Sequence, residues 1–246
     1  LTISGTGSMP DFAESGGQPW NKYLRTMEKL TLEEGVESVG AYAFYEADYL
    51  GVGEIVFPDS LVSVADHAFY SCDSLGEVTF LNKVQTLGAS VFAECTKIGK
   101  VIVPDSVTSI GIAVFEGCYR VTECELSNQL EVLPERTFST PYSTGLTMSV
   151  TFPASIRRIE NKAFFGGHKF VDFSFPPTLE AIGAEAFSGC TVKGDLSVPA
   201  SIKSIGSSTF ATFRVEGTLT FEEGVSASVF SALVNYGATA SETWVA

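Results

Sequence analysis

The stretch that decides the fold is IGKVIVPDSVTSIGIAVFEGC, residues 98–118. Apolar residues alternate with others up to Val103, which is the period of a short strand with one buried side. Pro104 ends this strand because it has no backbone N–H to donate to a ladder. Gly111 is expected to permit the next bend, which leads into an apolar turn at Phe115.

The same pattern returns about every 23 residues along the chain. Apolar residues recur five, eight and twelve positions before a regularly spaced phenylalanine. That phenylalanine occurs at Phe44, Phe69, Phe92, Phe115, Phe138, Phe164, Phe187 and Phe210. A solenoid needs such a period, because each coil buries its apolar positions only against its neighbours. The sequence therefore predicts about eight stacked repeats, each with one parallel strand and with short helical or irregular turns on the opposite side.

The repeat indicates one solenoid domain over residues 27–246, preceded by a cap over residues 1–26. The cap is predicted to contain a strand, a Gly-rich turn and a short helix, with Trp20 covering the first coil. A closing strand is expected from Glu242 to Ala246, because Trp244 falls 23 residues after Phe221. Two insertions, at 47–53 and 139–149, are expected to be surface loops, where function is often found.

Net charge limits the possible partners. The chain carries 29 acidic and 15 basic residues, a net charge of −14. This balance argues against nucleic acids and anionic lipid surfaces, both of which need a basic footprint. No apolar run is long enough to span a bilayer. The start at Leu1 would fit a removed signal peptide or a trimmed chain.

Four of the five cysteines lie three residues after a repeat phenylalanine, and Cys124 occupies a strand position. Neighbouring coils could bring such cysteines within disulfide distance. Cysteine is also a small buried hydrophobe that suits a tight turn. We expect free buried thiols rather than disulfides, and no metal site, since no Cys-x₂-Cys pair occurs.

The 23-residue repeat resembles that of a known family. The motif L-x-x-V-x-V-P-D-S-V-x-x-I-G-x-x-A-F-x-G-C, seen in residues 98–118 and again in 170–190, is similar to the BspA-type leucine-rich repeat. The opening SGTGSMPDF followed by PWNKY also resembles a cap that precedes such repeats in bacterial surface proteins. The resemblance implies a β-rich leucine-rich-repeat solenoid of the α/β superhelix type in a secreted or cell-surface bacterial protein. It also implies adhesion to host matrix proteins or other cells, and no enzymatic activity.

By analogy with leucine-rich folds, the outward strand positions form a concave binding face. Glu54 beside Glu77, and Asp172 beside Asp195, should place like charges on adjacent strands about 4.8 Å apart. A solvated surface is the better explanation of any single charge, but for the face as a whole the acids beside an apolar stripe favour binding. The complete predicted face is Glu54, Val56, Glu77, Thr79, Lys100, Ile102, Glu123, Glu125, Asp172 and Asp195.

The sequence therefore predicts an extracellular, non-enzymatic protein-binding or adhesion module without a cofactor. The alternative is a carbohydrate-binding surface protein in which Tyr42, Tyr45, Tyr49 and Tyr70 supply exposed rings. A glycosidase is disfavoured, because a shallow acidic ladder lacks the cleft that raises the pKa of one carboxyl. His67 and His168 lie far apart and have no nucleophile signature around them, so each is interpreted as a surface or turn histidine.

Overall fold

The computed structural model of the protein describes residues 1–52, 55–79, 83–140, 146–234 and 242–244. The chain divides into two compact units, Leu1–Val121 and Thr122–Ala246. Each unit is a stack of short strands in parallel ladders. The predicted solenoid, with about eight turns some 23 residues apart and little helix, is confirmed. The boundary predicted at residue 26 stays a prediction.

In the first unit the strands form three ladders. They run β1–β3–β5, β2–β4–β6–β8–β10 and β7–β9. Their bounds are β1 Thr2–Ile3, β2 Gly7–Ser8, β3 Leu30–Leu32, β4 Val36–Val39, β5 Ile55–Val56, β6 Ser63–Val64, β7 Glu77–Thr79, β8 Thr86–Leu87, β9 Lys100–Ile102 and β10 Ser109–Ile110, with a 3₁₀ helix at Asn21–Thr26.

The second unit repeats this plan. Its ladders run β11–β13–β15–β17–β20, β12–β14–β16–β19 and β18–β21–β22. The bounds are β11 Glu123–Glu125, β12 Val132–Leu133, β13 Thr147–Thr151, β14 Arg158–Ile159, β15 Lys169–Val171, β16 Ala181–Ile182, β17 Thr191–Val192, β18 Leu196–Val198, β19 Ser204–Ile205, β20 Arg214–Val215, β21 Leu219–Phe221, α1 Ala227–Val234 and β22 Glu242–Trp244. The closing strand lies where it was predicted, with Trp244 in register with Phe221.

Each coil has a second strand that the sequence did not predict. In β10, for example, Ser109 and Ile110 pair with Thr86 and Leu87 of β8. These strands are mostly two residues long, so each contributes about one inward side chain and shows no alternation in the sequence. Stacking on both sides of the coil satisfies backbone groups that a single ladder would leave unpaired.

The repeat phenylalanines form a column of stacked rings inside each unit. In the first unit the centroids of Phe69 and Phe92 are 5.5 Å apart, with the ring planes at 6°. In the second unit those of Phe164 and Phe187 are 5.4 Å apart at 13°. All four side chains are 0–2% exposed. Burying such a ring stabilises the coil by about 2–3 kcal/mol.

The turn that carries the phenylalanine is irregular and left-handed at one position. In all eight coils the residue two before the phenylalanine has φ between 52° and 56°, although none is glycine. This conformation is unfavourable for residues with a Cβ. It lets backbone amides point along the stack, and Phe69 N donates to Val91 O of the next coil at 3.0 Å. Hydrogen bonds between coils therefore offset the strain of the turn.

The repeat glycine is needed for close stacking rather than for a bend. Gly111 has no positive φ, so its conformation is open to any residue. A Cβ at Gly111 would lie 2.5 Å from Ala89 N of the preceding coil. At Gly183 a Cβ would lie 2.4 Å from Asn161 N. The prediction that this glycine permits a bend was wrong, because a sequence pattern does not separate backbone freedom from lack of space.

The two predicted loops are only partly irregular. In the first, Ala47 and Leu50 are buried, whereas Tyr49 is 54% exposed. The end of the second insertion forms the start of β13, in which Met148 is buried. Residues 53 and 141–145 of these insertions lie outside the described residues.

Candidate functional site

The predicted strand face of the first unit is present at β7 and β9. Glu77 lies opposite Lys100, and Thr79 lies opposite Ile102. Lys100 and Ile102 are half-buried on either side of Val101, which is fully buried. Outward side chains of opposite charge are therefore neighbours in this ladder, with an apolar residue beside them.

The rest of the predicted face in the first unit is less complete. Val56 in β5 is 37% exposed, which leaves an apolar side chain in contact with solvent. Glu54 lies outside the described residues, so its pairing with Glu77 stays a prediction.

In the second unit β11 supplies the predicted face. Glu123 is half-buried and Glu125 is exposed, while Cys124 between them is buried. Across the ladder these glutamates lie opposite Ser149 and Thr151. Their neighbours on β13 are neutral hydroxyl side chains, so this part of the ladder has no like-charge pair.

Asp172 and Asp195 do not form the predicted pair of like charges. Asp172 has a φ of 52° and lies just after β15, outside any strand. Asp195 precedes β18, and its Oδ1 accepts a hydrogen bond of 2.7 Å from Thr218 N of the next coil. Asp195 therefore connects coils and belongs to the fold rather than to a binding face.

A change of register in β13 explains this difference. Ser149 pairs with Glu123 of β11 on one side and with Val171 of β15 on the other. The constant spacing of the repeat would have placed Asp172 opposite Ser149. A slip of one residue moves side chains to the other side of the strand, and here it keeps Phe170 buried.

Aromatic side chains of the first two coils meet on a different surface. Tyr42 stacks on His67, with centroids 4.8 Å apart and planes at 4°. Tyr45 stacks on Tyr70 at 5.1 Å and 13°. We call these four residues the aromatic surface. All four are half-buried, and the two rings of each pair cover one face of each other. The prediction named the three tyrosines but missed His67. His67 has the same place in its repeat as Tyr42, two residues before the phenylalanine, and differs from it only in residue type.

Carboxylates border the aromatic surface. Tyr45 Oη donates to Glu14 Oε1 at 3.1 Å. Burial and this hydrogen bond raise the pKa of Tyr45 to about 12. Burial, followed by the nearby Glu94 and Glu116, raises the pKa of Tyr70. Both phenols therefore remain hydrogen-bond donors at neutral pH.

The buried thiols have a structural role. All five cysteines are free and buried, which confirms the expectation from sequence. In four coils the Sγ atom donates to the carbonyl of the phenylalanine one coil earlier, as Cys95 does to Phe69 O at 3.0 Å. Burial raises the pKa of Cys190 to about 12. These thiols are poor nucleophiles, because the thiolate is the reactive form.

His168 is half-buried and directly follows the turn at residues 161–167. Its Nε2 donates to Phe138 O at 2.7 Å, the same kind of acceptor that the cysteines use. Burial lowers the pKa of His168 to about 4, so the ring is neutral at pH 7. This position agrees with the interpretation of His168 as a surface or turn histidine, although the sequence does not show its hydrogen bond to a phenylalanine carbonyl.

Within the described ranges, no group of three or more His, Cys, Asp and Glu side chains is arranged to hold a metal ion. No helix among the same residues is long and apolar enough to cross a membrane.

The repeats of this chain match a known protein family. The model of the BspA type leucine rich repeat region, in six copies, matches residues 22–144 and 141–235. The chain belongs to the BspA-type leucine-rich repeat family. The resemblance carried by the repeat motif is thereby confirmed. A search of curated proteins found no match.

The chain is also similar to solved structures of bacterial leucine-rich repeat proteins. A leucine-rich repeat protein from Eubacterium ventriosum aligns with a TM-score of 0.53 and 17% identity, over 98% of this chain and 80% of that one. One from Bacteroides ovatus aligns with a TM-score of 0.46 and 15% identity, over 100% and 92%. A leucine rich cell surface protein from Faecalibacterium prausnitzii aligns with a TM-score of 0.44 and 20% identity, over 84% and 62%. At such identities the first of these shows a shared fold alone.

Proposed function

We propose that this chain is an extracellular, non-enzymatic protein-binding module of a bacterial surface protein. Its ligand is a host matrix protein or another cell-surface protein, contacted by the outward side chains of the strand ladders. Membership of the BspA-type family supports the bacterial-surface part of this proposal. The location of the contact is supported by the ladder of the first unit.

The observation that carries the proposal is the composition of β7 and β9. Val101 is fully buried, so the two residues that flank it have to face outward. One is a cation opposite Glu77, and the other is Ile102, a large apolar side chain that remains partly exposed to solvent. Protein interfaces combine an apolar centre with a polar, charged rim, and this ladder presents both.

The charges and the apolar side chain contribute differently to binding. Exposed charges such as Glu77 mainly affect the association rate and its dependence on salt. A buried apolar contact such as Ile102 mainly affects the dissociation rate, and a few such residues dominate most interfaces. We therefore expect substitution of Ile102 to weaken binding more than substitution of any single glutamate.

The proposal is tested with the purified chain and an immobilised panel of fibronectin, laminin and common glycans. Saturable binding to at least one protein is expected. Ile102→Lys should weaken that binding by tenfold or more, because it places a second cation beside Lys100. Ile112→Lys is the matched control, since Ile112 is 48% exposed in the same unit and lies outside the strand ladders. It should change binding less than twofold.

Equal losses in the two lysine variants would contradict the assignment to the strand face. Binding to glycans alone, undiminished by Ile102→Lys, would contradict the protein-binding function and favour the carbohydrate alternative. Raising the salt concentration should weaken a protein contact that depends on Glu77 and Lys100, because exposed charges are screened.

A further inference from the structure

A groove in the first unit lies apart from the strand face. It separates the N-terminal segment, including Glu14 and Gln18, from the turn of the first coil at Tyr45 and Glu46. Its volume is about 580 Å³. Ligand sites for small molecules usually have volumes of roughly 300–1,000 Å³, so the groove has room for one or two sugar-sized groups.

The walls of the groove are held in place from both sides. Trp20 stacks on Phe44 at 5.6 Å and donates from Nε1 to Ala43 O at 2.8 Å. Gln18 Nε2 donates to Tyr42 O at 2.6 Å. These contacts fix the N-terminal segment against the first coil, so little side-chain freedom has to be lost when a ligand binds.

One aromatic ring lines the groove. Tyr70 covers one face of the Tyr45 ring, and Tyr45 itself lines the groove. The Tyr42 ring also contacts Tyr45, with centroids 5.5 Å apart and planes at 53°, so only the part of the Tyr45 ring left by these two neighbours borders the groove. The Tyr45 hydroxyl donates to Glu14, which holds the ring at this angle.

Gln18 supplies an unusual buried acceptor. Its side chain lines the groove, yet the residue is only 5% exposed. Its Oε1 accepts no hydrogen bond from any residue that the structure describes. An unpaired buried acceptor costs about 1–3 kcal/mol, and a ligand hydroxyl that donates to it would remove that cost.

The charges of the lining select the class of ligand. Two carboxylates, Glu14 and Glu46, face two cations, Lys22 and Arg25. Arg25 forms ion pairs with Glu46 and with Asp48. A balanced lining gives neither a cation nor an anion a clear advantage. A neutral ligand whose hydroxyl groups both donate and accept can use every one of these side chains.

We propose that this groove binds a neutral sugar residue, packed against the Tyr45 ring where it lines the groove. Its hydroxyl groups donate to Gln18 Oε1 and Glu14 and accept from Arg25. The site is independent of the protein-binding strand face, and either can fail without the other. Of the four rings of the aromatic surface, Tyr45 is the one that lines the groove.

The test measures binding of methyl glycosides of glucose, galactose, mannose and N-acetylglucosamine to the full chain, by ligand-observed and protein-observed NMR. At least one glycoside should bind saturably below 20 mM, roughly the weak range expected for a single sugar. Tyr45→Ala should weaken that binding tenfold or more, and Tyr45→Phe, which keeps the ring, by no more than about threefold.

Tyr70→Ala is the matched control, because it removes the partner ring on the far side of Tyr45 without touching the groove. It should change sugar binding less than threefold. Circular dichroism of each variant confirms that it is folded. Absence of saturable binding for all four glycosides, equal losses in Tyr45→Ala and Tyr70→Ala, or preferential binding of arginine methyl ester over every sugar would each overturn the proposal.

Discussion

Replacing Gly111 by alanine is expected to lower the free energy of unfolding of the first unit by about 2–4 kcal/mol. The new Cβ would lie 2.5 Å from Ala89 N, about 0.9 Å closer than the 3.4 Å at which ordinary contact begins. Relieving this clash would lengthen the hydrogen bonds from Gly111 N to Leu87 O and from Ser90 N to Ile112 O, now 2.8 and 2.9 Å, beyond useful range. Losing two such bonds costs about 1–3 kcal/mol, and residual overpacking adds to it.

Gly76→Ala is the matched control for this substitution. Gly76 lies in the same unit, has no positive φ, and a Cβ there would meet nothing within 4 Å. It should leave stability unchanged or raise it by up to about 1 kcal/mol, because alanine reduces the entropy of the unfolded chain. Denaturant unfolding followed by circular dichroism compares the two variants. If Gly111→Ala stayed within 0.5 kcal/mol of the parent, the close-stacking explanation of the repeat glycine would be wrong.

Three further predictions concern side chains that pack between coils. Phe115→Ala should lower the free energy of unfolding of the first unit by about 3–5 kcal/mol in denaturant unfolding. Ile112→Ala, at an exposed site, should lower it by less than about 0.5 kcal/mol. Equal effects of the two substitutions would contradict the column of stacked rings. Because burial lowers the pKa of His168 to about 4 from 6.5, only the unfolded chain takes up this proton between those values. Stability should therefore fall by about 2 kcal/mol from pH 7 to pH 5, and His168→Gln should remove that part of the loss in melts at both pH values. Cys190, whose pKa is raised to about 12, should react with a thiol reagent at pH 8 only after denaturant is added; rapid labelling of the folded chain would contradict its burial.

The sequence predicts the parts of the fold that repeat with large apolar side chains. The phenylalanine column follows from the 23-residue period, because such a ring at every coil has no other place to be buried. The outward positions of β9 follow from the alternation around Val101. Period and alternation therefore suffice where each strand is at least three residues long and keeps one register.

Other features depend on backbone geometry that side-chain identity does not record. The left-handed position two before each phenylalanine is occupied by Tyr42, Ser90, Arg136 and other unrelated types. Hydrogen bonds between coils determine this conformation, and they involve only backbone atoms. The register slip at β13 also leaves no signal in the sequence, because the same residues could pair in either of two registers.

The candidate sites were predictable to different degrees. The strand face at Glu77, Lys100 and Ile102 was placed by counting back from the phenylalanine. The error at Asp172 arose because that count continued through the slip. The groove beside Tyr45 could not be predicted from the sequence. One of its walls is the N-terminal segment, which is not part of the repeat, so the period does not indicate where it contacts the first coil.

The most direct test of binding through the strand face is amide hydrogen exchange of the chain with and without a bound matrix protein. Added protection should concentrate in β7 and β9, at residues 77–79 and 100–102. The turns that carry Tyr42 and Tyr70 should exchange as they do in the free chain. Protection confined to those turns, with β7 and β9 unchanged, would contradict the account and move the protein-binding surface to the other side of the coil.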